Sequence, residues 1–131
     1  MPAIAVAHDI PYVATANPSY PRDLINKVNK AKTIKGAKYL HVYSVCPTGW
    51  RSAPERSIQL GKLAVETGLF PLYEVENGQY KLTKKVSKIK PLDEYLKIQG
   101  RFRHLTEDLR KEIQKKTNQD YQQLLKKAEQ G

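Results

Sequence analysis

Lys38-Tyr39-Leu40-His41-Val42-Tyr43-Ser44-Val45 runs directly into Cys46-Pro47-Thr48-Gly49-Trp50, and this junction decides how the chain is read. The first segment is rich in aromatic and β-branched residues, which suit a pleated, half-buried strand. Pro47 and Gly49 then stop regular structure. A helix is predicted from about Pro54 or Glu55 to Thr67. Ile58, Gly61, Ala64 and Val65 share its face, Leu60 and Leu63 widen it, and Gly68 ends it. The order is strand, loop, helix, with a thiol in the loop. In open α/β sheets, ligand sites gather beyond the carboxyl ends of strands.

Upstream of the junction, Met1-Pro2-Ala3-Ile4-Ala5-Val6-Ala7-His8 reads as a short helix with no N-cap, with Pro2 suited to its first turn. Tyr12-Val13-Ala14-Thr15 reads as a short buried strand. Ser19 or Tyr20 is placed at the cap of a helix that opens at Pro21, with Asp23 complementing its dipole. Leu24, Ile25, Val28 and Ala31 are expected on its buried face. Lys27, Lys30 and Lys32 fall toward its C-terminal end, where positive charge is favoured.

Downstream, Leu72–Glu76 and Gln79–Leu82 flank Asn77-Gly78, the strongest short hairpin signal. From Lys84 the chain becomes basic and loosely patterned. Pro91 opens a short helix over Leu92–Leu96, Gly100 breaks it, and the stripes Leu105/Leu109/Ile113 and Tyr121/Leu124/Leu125/Ala128 suit helix lying on a larger body. The predicted class is α/β: strands alternating with helices in an incomplete parallel sheet, an edge hairpin at about 72–82 and a helical C-terminal tail. So few strands make a poor sheet alone and suggest half of a larger one. Two segments are expected, 1–83 as the α/β part and 84–131 as a basic helical extension packing on a larger complex.

The 131 residues carry a formal net charge of +10 and 40% hydrophobic residues, enough for one domain with a core. Nothing resembles a transmembrane span or a secretory signal, and the single cysteine agrees with a reducing compartment, so the expected location is cytoplasmic with no membrane contact. The charge admits nucleic acid or an acidic protein as partner. The basic residues lack the interleaved aromatics of a single-strand stacking platform, which weighs against nucleic acid. An acidic electron carrier fits the same charge.

No phosphate-binding P-loop, GxGxxG or GxSxG is present. His8, His41 and His104 lack metal-ligand spacing and read as structural histidines. Glu74 and Glu76 read as the outer face of a strand. Arg101-Phe102-Arg103 reads as a solvated face or an anion site. Cys46 has two readings, a buried structural thiol or a metal-binding or reactive one. One cysteine does not hold a cluster, since a four-iron site takes four thiolates. From the residues alone, catalytic groups are not identified.

Several segments together resemble one family. Pro11-Tyr12-Val13-Ala14-Thr15-Ala16, Tyr20-Pro21-Arg22-Asp23-Leu24, His41-Val42-Tyr43-Ser44-Val45-Cys46-Pro47-Thr48-Gly49-Trp50, Leu63-Ala64-Val65-Glu66-Thr67-Gly68-Leu69-Phe70-Pro71-Leu72-Tyr73-Glu74 and Pro91-Leu92-Asp93-Glu94-Tyr95-Leu96-Lys97-Ile98-Gln99-Gly100-Arg101-Phe102-Arg103 are similar to the beta subunit of pyruvate:ferredoxin oxidoreductase (pyruvate synthase), in the 2-oxoacid:ferredoxin oxidoreductases. The resemblance covers nearly the whole chain. It implies a thiamine-diphosphate-binding fold, thiamine diphosphate with Mg²⁺, one 4Fe-4S cluster, and oxidative decarboxylation of a 2-oxoacid to acyl-coenzyme A with electrons passing to ferredoxin. It implies that Cys46 is the fourth cluster ligand, with the backbone of Pro47, Thr48 and Gly49 lining the cluster. The family's Gly-Asp-Gly…Asn motif and its other cluster cysteines do not occur here. The chain therefore resembles the C-terminal half alone, expected to be a split subunit or a truncated product that alone binds neither cofactor. The partners implied are the missing N-terminal half, the alpha, gamma and delta subunits, ferredoxin, coenzyme A and the 2-oxoacid. The alternatives are a stand-alone basic module for nucleic acid or an acidic protein, or an inert gene fragment.

Overall fold

The computed structural model describes residues 1–130. In chain order the elements are α1 (Pro2–Ala7), β1 (Tyr12–Ala16), α2 (Pro21–Thr33), β2 (Lys38–Val42), α3 (Pro47–Trp50), α4 (Ser57–Glu66), β3 (Tyr73–Glu76), β4 (Gln79–Leu82), α5 (Asp93–Leu96) and α6 (Glu107–Gln130). Short 3-10 turns at Pro54–Arg56 and Gly100–Phe102 precede α4 and α6. The fold is α/β, as expected.

The sheet is four-stranded and mixed, in the order β2-β1-β3-β4. β1 and β2 run parallel, joined by the α2 crossover, while β3 is antiparallel to β1 and pairs with β4 through the Asn77-Gly78 turn. Both turn residues have positive φ, 49° at Asn77 and 80° at Gly78, the backbone hand that matches strand twist. β1 is buried at all five positions, as a central strand covered on both faces must be. Its alternation divides the core. Val13 packs with Ala5 and Val75 beneath α1, whereas Tyr12 and Ala14 pack with Ala31 on the α2 side. A third cluster, Leu60, Leu63, Ala64, Leu92, Tyr95 and Leu96, joins α4 to α5, with Tyr43, Val45, Phe70 and Phe102 packed around it.

Three expected faces hold in part and are corrected in part: Ala31 on α2, Leu60, Gly61, Leu63, Ala64 and Val65 on α4, and Tyr121 and Leu124 on α6 are buried as expected. On α2, Ile25 is 56% exposed and Val28 is exposed too, while Lys27 is only 2% exposed. The helix crosses the carboxyl end of β1, where a long stem can cover apolar surface while its ammonium reaches polar atoms. Lys27 Nζ donates to Thr15 O at 2.8 Å, Thr83 Oγ1 at 2.7 Å and Asp23 Oδ2 at 2.6 Å. Burial lowers its pKa below the ordinary lysine range against the pull of Asp23. On α4, Ile58 is 57% exposed, because the buried stripe starts only at Leu60. In the tail, Leu109 is exposed and the buried residues are Thr117, Tyr121 and Leu124. There α6 lies on the hairpin, with Lys127 Nζ 5.3 Å over the Tyr80 ring and Val86 N donating to Tyr121 Oη. Gly131, the end of the expected extension, lies outside the described residues. Among the described residues, no helix is long and apolar enough to cross a membrane.

Glu74 is a further correction, since its carboxylate is buried. Tyr12 Oη donates to Glu74 Oε2 at 2.8 Å, and Lys30 Nζ donates to Glu74 Oε1 at 3.0 Å while pairing with Glu76 at 2.7 Å. The helix opposite supplies a cation, so the strand's inward acid is paired rather than solvated. Burial alone would raise the Glu74 pKa. The hydrogen bonds from Lys30 and Tyr12, with the charges of Lys30 and Lys81, bring it below the ordinary value. A carboxyl lowered in the folded state adds stability above its unfolded pKa, and that contribution is lost as pH falls through the folded one. Thermal melts should therefore show wild type more stable than Glu74→Gln near neutral pH, with the difference vanishing in acid. A pH-independent difference would contradict this pairing.

Candidate functional site

Cys46 sits four residues past the end of β2, at the N-cap of the single turn α3. Parallel pairing carries the strand toward it, since Tyr43 N still donates to Ala16 O at 2.8 Å. The intervening residues lie on the α4–α5 cluster through Tyr43 and Val45. The thiol is exposed, so the buried structural reading of Cys46 is overturned.

The turn is closed by Trp50 N donating to Cys46 O at 2.9 Å and Ser52 N donating to Pro47 O at 3.1 Å. The first amides of a helix have no partner within it. Those of Thr48 and Gly49 have no protein acceptor among the described residues. Pro47 has no amide hydrogen, so its expected lining role is limited to its ring and carbonyl, and that carbonyl is already used. A Cβ at Gly49 would stand 3.3 Å from Cys46 Sγ, so the glycine leaves the sulfur's flank open. Ser52 Oγ, just beyond the turn, is buried without a partner among the described residues.

Beneath the turn lies an aromatic floor. The Tyr43 ring meets Trp50 at 5.6 Å and Phe70 at 5.1 Å between centroids, and His41 stacks on Phe70 at 5.7 Å. His41 Nδ1 is 3.0 Å from Tyr39 Oη. Tyr43 Oη is 2.8 Å from Tyr95 Oη. Burial and this bond raise the Tyr43 pKa well above the usual phenol range, opposed by the charge of Arg101.

Of Arg101-Phe102-Arg103, Arg103 is exposed as a solvated face would be, whereas Arg101 is half-buried and engaged by protein groups. Its guanidinium lies 3.8 Å over the Trp50 ring and 4.5 Å from the Phe102 ring, with Nε donating to Gln99 Oε1 at 2.9 Å and Nη2 to Tyr95 Oη at 3.1 Å. Sequence reasoning missed these supporting residues. The only signal for them was the Gly-Arg-Phe segment, whose contacts with the Cys46 turn are long-range. Among the described residues, no three His, Cys, Asp or Glu side chains group as a metal site. The chain presents one exposed thiol on an ordered turn.

No family model matches the chain. Among curated proteins, it is 55% identical over 115 residues to "Pyruvate synthase subunit PorB" of Methanocaldococcus jannaschii, a match covering 88% of this chain and 39% of that protein. It is 48% identical over 124 residues to "Pyruvate synthase subunit PorB" of Methanothermobacter marburgensis, covering 95% of this chain and 43% of that protein. It is 44% identical over 128 residues to "Ketoisovalerate oxidoreductase subunit VorB" of Pyrococcus horikoshii, covering 96% and 41%. The chain thus spans about two-fifths of the length of the curated relatives it matches. With its α/β architecture, the chain corresponds along nearly its whole length to the C-terminal part of the oxidoreductase beta subunits named PorB and VorB.

Proposed function

We propose that this chain supplies one corner of an iron–sulfur centre to a pyruvate:ferredoxin oxidoreductase, with Cys46 as one of four cluster ligands. The observation that carries this reading is the exposed thiol of Cys46 at the start of α3, flanked by the free amides of Thr48 and Gly49 and an unobstructed glycine side. Thiolates ligate such clusters, and amide hydrogen bonds to sulfur raise the potential of the bound centre. Cys46 would hold one iron, while Thr48 and Gly49 would present N–H groups to sulfur.

The residues here fit one cluster ligand and do not fit thiamine diphosphate or Mg²⁺, because the Gly-Asp-Gly…Asn set is missing. Those groups and the remaining cysteines belong, in this reading, to the N-terminal half of the subunit. The outer strand β2 supports that assignment. It pairs with β1 on one side, its other edge is unpaired, and Val42 on it is exposed. An unpaired parallel edge invites another strand. The alpha, gamma and delta subunits, coenzyme A and ferredoxin complete the assembly in the cytoplasm, and the net charge of +10 suits an acidic carrier. Pyruvate is the preferred 2-oxoacid, because the PorB relatives are more similar than VorB.

Co-expression with a chain carrying Gly-Asp-Gly…Asn and the other cysteines tests the proposal. The expected outcome is a brown complex that reduces ferredoxin when given pyruvate and coenzyme A. Failure to associate, together with salt-sensitive nucleic-acid binding by the chain alone, would instead support a stand-alone basic module.

A further inference from the structure

We propose that Arg101, together with Gly100, is the positioning element that holds the Cys46 turn in its ligating posture. This rests on Cys46 being a ligand and adds how the turn is kept in place. The turn itself has little internal support. It is one helical turn, and Arg51, which ends it, adopts a left-handed φ of 53°. A non-glycine residue persists there only when its surroundings fix it.

Those surroundings are the segment Gln99–Phe102. Gly100 N donates to Arg51 O at 3.0 Å. A Cβ at Gly100 would stand 2.8 Å from Arg51 Cβ and 3.2 Å from Arg51 O, so only glycine allows the two backbones this close. Arg101 closes the other side. One face of its guanidinium covers Trp50, and its polar edge is taken by Gln99 Oε1 and Tyr95 Oη. Tyr95 is buried in the α4–α5 cluster, so the turn is tied through one planar group to the core. A lysine keeps the charge but has neither the flat face nor the fork of donors that these contacts use together. With its edge and face engaged, Arg101 is suited to bracing rather than to capturing a free anion.

The clamp can be read in the full chain without any cluster, because Trp50 is its only tryptophan and Cys46 its only thiol. Acrylamide quenching of Trp50 and iodoacetamide alkylation of Cys46 are measured for wild type, Arg101→Lys and Arg101→Met, alongside circular-dichroism melts. In both variants, quenching of Trp50 should rise severalfold on losing a partly desolvated cation–π contact, and alkylation of the already exposed Cys46 should change in rate as its N-cap setting loosens. The lysine should not restore wild-type behaviour. Unchanged quenching and alkylation in folded Arg101→Lys and Arg101→Met would overturn the proposal. If both variants fail to fold, hydrogen exchange of the wild type decides. Gly100 and Trp50 amides protected to the same degree support one clamped unit, and fast exchange at Gly100 beside a protected Trp50 overturns it. Iron content of the co-expressed complex is measured separately. A working clamp with full iron in Cys46→Ser would remove the ligand reading and leave the clamp standing, whereas normal iron loading with no clamp signature would do the reverse.

Discussion

Replacing Gly61 by valine is expected to lower the stability of the chain by about 3 kcal/mol or more, through overpacking combined with a disrupted buried hydrogen bond. Gly61 lies on the buried face of α4, where the Asn17–Tyr20 loop crosses it. A Cβ there would stand 2.0 Å from Ser19 Oγ, 2.8 Å from Ser19 Cβ and 3.0 Å from Asn17 Oδ1. Rotating the Ser19 hydroxyl relieves only the first contact. The other two require the loop to move. That loop is fixed by Asn17, whose Nδ2 donates to Gly61 O at 2.9 Å and whose Oδ1 accepts from Ser19 N at 2.9 Å. Asn17 is itself buried, so displacing it strands polar atoms out of water. Removing a mid-helix glycine offsets this by about 1 kcal/mol at most, which is smaller than the opposing cost. The melting temperature should fall by something on the order of 10 °C, with Gly61→Ala intermediate. An unchanged melt for Gly61→Val would mean that the loop does not pack on α4 as described.

Much of this architecture is written locally in the chain. The Asn77-Gly78 hairpin follows from turn chemistry, and the buried β1 follows from a short apolar run bounded by Pro11 and Pro18. The departures share a different physical origin. Lys27 and Glu74 look like surface charges by type, and each is buried because a distant element supplies its partner. Ile25 and Val28 look like core by spacing, yet the sheet presents a polar strand end to the opposite side of α2. Periodicity locates a helix better than it locates the helix's inward face when the core offers hydrogen-bond acceptors.

The site divides in the same way. Cys46 beyond a strand end, followed by a proline and a glycine, could be found from sequence, and so could the family, through Cys-Pro-Thr-Gly-Trp and Gln-Gly-Arg-Phe. The support under the turn could not. Trp50 and Arg101 are far apart in sequence and meet through the Gly100–Arg51 backbone bond and through Tyr95 of the α4–α5 cluster. The aromatic floor likewise draws on β2 and the residue after it, α3 and the loop before β3. Sequence patterning picks out the candidate thiol, whereas long-range packing places it.

The second large effect expected under the proposed function is the loss of an iron–sulfur centre when the Cys46 sulfur is removed. Serine at position 46 keeps the size and the N-cap position of the residue but replaces a soft thiolate by a weakly acidic hydroxyl, a poor ligand for iron–sulfur clusters. The turn should survive, because its closing bonds run from backbone to backbone through Trp50 and Ser52. The direct measurement is iron and acid-labile sulfide per complex, with the electron paramagnetic resonance spectrum of the reduced state, for wild type and Cys46→Ser co-expressed with the complementary half. Cys46→Ser is expected to assemble with that half, to lose one cubane cluster or retain an incomplete one, and to lose pyruvate-dependent ferredoxin reduction. A Cys46→Ser complex with full iron, an unaltered spectrum and undiminished electron transfer would contradict the ligand reading.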